Sequence, residues 1–199
     1  SHKHSYVQID GNSFIDSQLV ISNANYRVSV VNNHFVDTSV SLGNAMFKDN
    51  FYKITKNTKD TATNYIDGDE IDANNFYTDG TSDLQVYLDV KKVKNCKFEN
   101  IAVLPYVENG DYMTKFDDCK FTNCEIVSKS NITDKTRKTI LKRCELENSI
   151  LKGMYSSSDT AKGSIILDDC DINLPTKINV IYSQSNSTTG AHLYKILNF

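Results

Sequence analysis

Several sets of residues in this sequence could do chemistry. Five cysteines, Cys96, Cys119, Cys124, Cys144 and Cys170, raise the question of a metal site, since zinc needs four ligands converging within about 2.3 Å of one point. Glu145, Glu147 and Asp171 raise that of glycoside hydrolysis, which uses an acid and a base or nucleophile at a defined separation. Tyr106, Tyr112 and Tyr155 stand among Asn, Asp, Ser and Thr, a mixture suited to stacking on a sugar ring and hydrogen-bonding its hydroxyls. His2, His4, His34 and His192 are too scattered to argue a Ser–His–Asp arrangement, and no glycine-rich phosphate loop is present. A net charge of −3 gives no support to nucleic-acid binding, which depends on an excess of Lys and Arg on one face. No apolar run reaches the 18 residues of a membrane-spanning helix.

What must position these residues is a repeat. The segment Val93-Lys94-Asn95-Cys96-Lys97-Phe98, slid along the chain, returns eight times with anchors at Phe14, Phe35, Phe51, Phe76, Phe98, Phe121, Leu146 and Ile172. Five residues before each anchor stands an apolar residue: Ile9, Val30, Met46, Ile71, Val93, Phe116, Leu141 and Leu167. Two before it stands a small or polar one: Asn12, Asn33, Asp49, Asn74, Cys96, Cys119, Cys144 and Cys170. One copy cannot bury its own apolar face, so the copies must stack. Strand spacing then predicts a rod about 38 Å long over eight coils. A leucine-rich repeat has an overlapping period, but seven before the anchor stand Lys91, Thr114 and Thr139 where apolar residues are needed. Only a segment such as Asp134 to Arg143 has helical composition.

Stacking reassigns most of the chemical candidates. Four of the cysteines fall in one column, a line of sulfurs about 14 Å long at one rung per step, which predicts a reduced ladder in the core rather than a zinc site. Cys124, three after an anchor, is expected as another small inward residue. Asp16, Asp37, Asn100, Asn123 and Asn148, each two after an anchor, predict a ladder at a recurrent bend, since Asn and Asp tolerate left-handed backbone. Lys94, Asp117, Lys142 and Asp168 alternate in sign and predict an exposed ladder of ion pairs. Alternation points Glu145, Glu147 and Asp171 outward, together with Ile15, Val36, Tyr52 and Tyr77. The latter four form an apolar stripe that needs a cover: a loop or flanking domain, a subunit interface, or a sugar. Insertions at 56–69, 104–113, 128–138 and 155–162 are expected as loops carrying the three tyrosines.

Runs such as Asn95-Cys96-Lys97-Phe98-Glu99-Asn100 and Asp118-Cys119-Lys120-Phe121-Thr122-Asn123 resemble the pectin-lyase-like superfamily of right-handed parallel β-helices, which includes bacteriophage tailspikes and appendage proteins. The resemblance implies an all-β fold, a single right-handed parallel β-helix of about eight coils. The chain then reads as one domain over 1–199, with repeats over about 9–178 and a cap or extension over about 179–199, either whole or a piece of a longer protein. It further implies a module of a virion tail or another extracellular appendage that binds cell-surface polysaccharide for host attachment, with a homotrimer or a flanking domain as the structural partner. The alternative it carries is a polysaccharide hydrolase or lyase working through Glu145, Glu147 and Asp171. Enzymes of the superfamily add a catalytic Arg, Lys or His to clustered Asp residues, whereas arginine stands here only at 27, 137 and 143. No cofactor, metal, nucleic acid or membrane insertion is expected.

Overall fold

The computed structural model describes residues 6–22, 27–56, 64–80, 84–105, 114–128, 136–156, 162–173, 175–183 and 194–197. Among them the fold is an all-β parallel solenoid. Eight three-residue strands, Ser13–Ile15, His34–Val36, Phe51–Lys53, Asn75–Tyr77, Lys97–Glu99, Lys120–Thr122, Glu145–Glu147 and Asp171–Asn173, pair in that order into one parallel sheet. The strands before and after each of these join a second sheet of 15 strands that wraps the rest of the interior. The winding of the solenoid amounts to about five turns. The expected eight coils are therefore better stated as about five full turns within an eight-strand ladder.

The corners explain why such short strands suffice. In every rung the residue three before the inward anchor has positive φ: Gly11, Asn32, Asp49, Ala73, Asn95, Asp118, Arg143 and Asp169, between 49° and 69°. Asn, Asp and Gly enter that region most readily, while Ala73 and Arg143 do so at a cost of about 1 kcal/mol each. A second left-handed corner follows the anchor at Asp16, Asp37, Asn100, Asn123 and Asn148. In the third and fourth rungs the equivalent positions are Ile54 and Thr78, which turn inward and are buried.

Inside each corner, side chains take over hydrogen bonding where the backbone ladder breaks. At the first corner Asn33 Oδ1 accepts from the Asn12 amide at 2.9 Å, Asn50 Oδ1 from the Asn33 amide at 2.9 Å, and Asn74 Oδ1 from the Asn50 amide at 2.9 Å. The Asn74 amide then meets Cys96 Sγ at 3.4 Å, and the column continues as Cys119, Cys144 and Cys170. These thiols are free and reduced, and each donates to a backbone carbonyl, as Cys96 does to Lys94 at 3.1 Å. Ser17, Thr38, Cys124, Ser149 and Thr176 play the same part at the second corner, where Ser149 Oγ accepts from the Cys124 amide at 3.1 Å. Between the corners the anchor rings stack. Phe76 to Phe98 and Phe98 to Phe121 have centroids 4.8 and 4.9 Å apart and planes within 7°.

The third rung corrects the sequence register by one residue. Tyr52, not Phe51, pairs with Phe35 and Phe76, while Phe47, not Met46, pairs with Val30 and Ile71. Met46 and Phe51 instead face outward, 57% and 50% exposed. A one-residue shift swaps the two faces of a strand. Here both alternatives satisfied the two apolar columns and the small or polar one, because Met-Phe, Asp-Asn and Phe-Tyr are pairs of like residues. Two further expectations give way to strands. Residues 65–69, expected within a loop, belong to Tyr65–Asp72, and the helical-looking segment is the strand Thr136–Lys142. In the latter, pairing with Thr114–Asp117 on one side and Lys162–Asp168 on the other overrides local propensity.

Candidate functional site

Outward side chains divide the eight-strand sheet into two halves. Its first four rungs carry Ile15, Val36, Phe51 and Tyr77, with Lys53 in the place assigned to Tyr52. The expected stripe is therefore corrected: Tyr52 is fully buried in the aromatic stack. Burial holds its hydroxyl well above the usual phenol range. Tyr77 turns its hydroxyl toward His34 Nε2 at 3.5 Å, and Lys53 lies over its ring at 6.0 Å.

The last four rungs of that sheet are charged. Glu145 and Asp171 are neighbours in one column, and Glu147 lies on the same strand as Glu145. Lys120 Nζ is 2.8 Å from Glu145 and 3.8 Å from Glu147. The hydrogen bond with Glu145 raises the Lys120 ammonium above its ordinary value. Both glutamates are open to solvent on a sheet surface, with side chains 41% and 50% exposed. A glycosidase raises the pKa of its general acid by burial and neighbours. The structure thus brings the three carboxylates together, but on an exposed, cation-neutralised face.

A groove of about 350 Å³ opens beside the second corner in the same half of the molecule. Its floor is an outward asparagine ladder. Asn123 Nδ2 donates to Asn100 Oδ1 at 3.0 Å, and Asn148 Nδ2 donates to Asn123 Oδ1 at 2.7 Å. The left-handed backbone at φ 57°, 53° and 45° sets the amides in register. Asn123 and Asn148 are exposed and Asn100 half-buried. These bonds use one N–H of Asn123 and one of Asn148, and an amide side chain carries two. The groove's far wall holds Glu125 and Lys177, and Lys152 Nζ lies 2.5 Å from Glu125. The residue pattern foretold this ladder as a bend, and sequence alone gave no sign that the bend borders a concavity.

Of the tyrosines nominated for sugar contact, Tyr106 and Tyr112 lie outside the described residues. Tyr155 is placed only through its backbone, in the strand Ile150–Ser156 paired with Tyr182. Among the described residues no group of three or more His, Cys, Asp or Glu side chains is arranged to hold a metal ion. Comparison with known proteins finds nothing similar: no family model, no curated protein and no solved structure matches this chain.

Proposed function

We propose that this solenoid is a non-catalytic polysaccharide-binding module, part of a phage tail appendage or similar extracellular adhesin of the pectin-lyase-like kind that engages a cell-surface glycan. The observation that carries this reading is the asparagine-floored groove. A sugar hydroxyl both donates and accepts, so it complements a row of amides that offer both, and a stacked β-scaffold holds that row at one rung per step without ordering cost on binding. Among the described residues the charged column and the face of Glu145 and Glu147 are internally paired with lysines and Arg143, which supports a docking role more than a reactive one. The test is retardation of the full chain in gels containing dissolved polysaccharides, run beside assays for new reducing ends and unsaturated products. Retardation without turnover is expected. Turnover lost in Glu145→Gln or Asp171→Asn would instead establish the hydrolase or lyase alternative on the carboxylate face.

A further inference from the structure

We infer that the groove takes an uncharged glycan lying along the solenoid axis, an inference that rests on the glycan-binding reading above and assigns its ligand class. The ladder runs across the strands, one amide per rung from Asn100 through Asn123 to Asn148, so a ligand that uses it in repetition must run the same way. Gly80 lines one end of the groove and Pro175 the other. Those residues are four rungs apart, which corresponds to about 19 Å of floor, enough for an oligosaccharide.

Charge sets the class. Glu99 and Glu147 immediately precede Asn100 and Asn148 in sequence and are exposed, while Glu125 lines the groove itself. Against these three carboxylates are Lys120, 3.8 Å from Glu147, Lys152, engaged by Glu125, and Lys177, which lines the groove. A polyanion such as a polyuronate needs a run of unspent Lys or Arg, whereas the lysines here are matched in number by carboxylates. Amide side chains recognise hydroxyl and acetamido groups without asking for charge.

The experiment is affinity electrophoresis and calorimetry with the full chain. One arm uses neutral polymers (glucans, mannans, galactans and N-acetylglucosamine oligomers), the other uronate polymers, both at low ionic strength. Binding in the neutral arm and at least tenfold weaker binding in the uronate arm is expected. Asn123→Gly, which keeps the left-handed backbone free of strain, should weaken neutral binding about tenfold while the melting temperature stays within a few degrees. Asn148→Gly serves as the second variant should the first fold poorly. Uronate binding as tight as neutral binding would overturn the ligand class and leave the groove standing. Neutral binding unchanged in both folded variants, or no binding in either arm, would overturn the groove reading itself.

Discussion

Asn50 is fully buried, and its amide is spent in every direction: Oδ1 accepts from the backbone and side chain of Asn33 at 2.9 and 3.1 Å, and Nδ2 donates to Val30 O at 2.9 Å and Asn74 Oδ1 at 3.0 Å. Asn50→Asp keeps the shape and turns both donated bonds into contacts between acceptors around a buried charge. It should cost about 3 kcal/mol or more, read as a lower urea midpoint, and an unchanged midpoint would refute the ladder. The thiols obey a different rule. Burial pushes Cys124 from 9.0 up to about 12, so above pH 9 the unfolded chain releases a proton that the folded one retains. Stability from this group is complete below pH 9 and is lost as pH rises toward 12. Cys124→Ala should therefore flatten the alkaline fall in stability measured by denaturant titration at several pH values, whatever it does to stability at neutral pH. A slope equal to that of the parent chain would mean that Cys124 ionises as freely in the folded state as in the unfolded.

At the scale of the element, the charged ladder is longer than the four rungs read from sequence. In paired strands the column runs Lys48, Asp72, Lys94, Asp117, Lys142, Asp168, with signs alternating throughout. Its bonds are shared with neighbouring columns: Lys94 reaches Glu70 at 2.9 Å, and Asp117 receives Lys115 at 3.0 Å and Arg143 at 2.5 Å. Arg143 also holds the Asp118 carboxyl below the usual carboxylate range through a hydrogen bond. Lys94→Glu would set a third acid between Asp72 and Asp117, beside Glu70. It should lower the melting temperature by a few degrees at low salt and by much less in molar salt, because exposed charges are screened. Equal loss at both ionic strengths would assign the effect to packing instead. Lys48 escaped the sequence reading for the same reason as Tyr52: one slipped rung displaced every column through it. The polar corner residues were the more reliable guide, since Asp49 matches Asn32, Asn95 and Asp118 only in the correct register. Apolar periodicity revealed the stack, whereas the groove depends on how successive corners set their side chains in three dimensions, which no single copy of the motif encodes.

Among the described residues the strands of each rung pair with those of the rungs above and below, with a few side chains such as Tyr77 and His34 reaching one rung further, so stability is close to a sum of nearest-neighbour terms. The interior is not uniform along the axis. Phe98 is buried and stacked between Phe76 and Phe121, with Phe116 edge-on at 5.9 Å. Phe14 in the first rung is half-buried and, among the described residues, stacks on Phe35 alone, at 5.0 Å. Removing a ring from the middle opens a cavity that both neighbouring interfaces share, while removing the terminal ring leaves a site already partly wet. Phe98→Ala should cost about 4 kcal/mol and Phe14→Ala clearly less. The two should also differ in kind. A weakened central interface divides a linear stack, so hydrogen exchange in Phe98→Ala should accelerate in the strands on both sides of the fifth rung, whereas Phe14→Ala should speed exchange only in the first two rungs. If both variants accelerate exchange evenly from end to end, the solenoid unfolds as one cooperative unit, and the groove in its second half is then braced by all eight rungs rather than by its immediate neighbours.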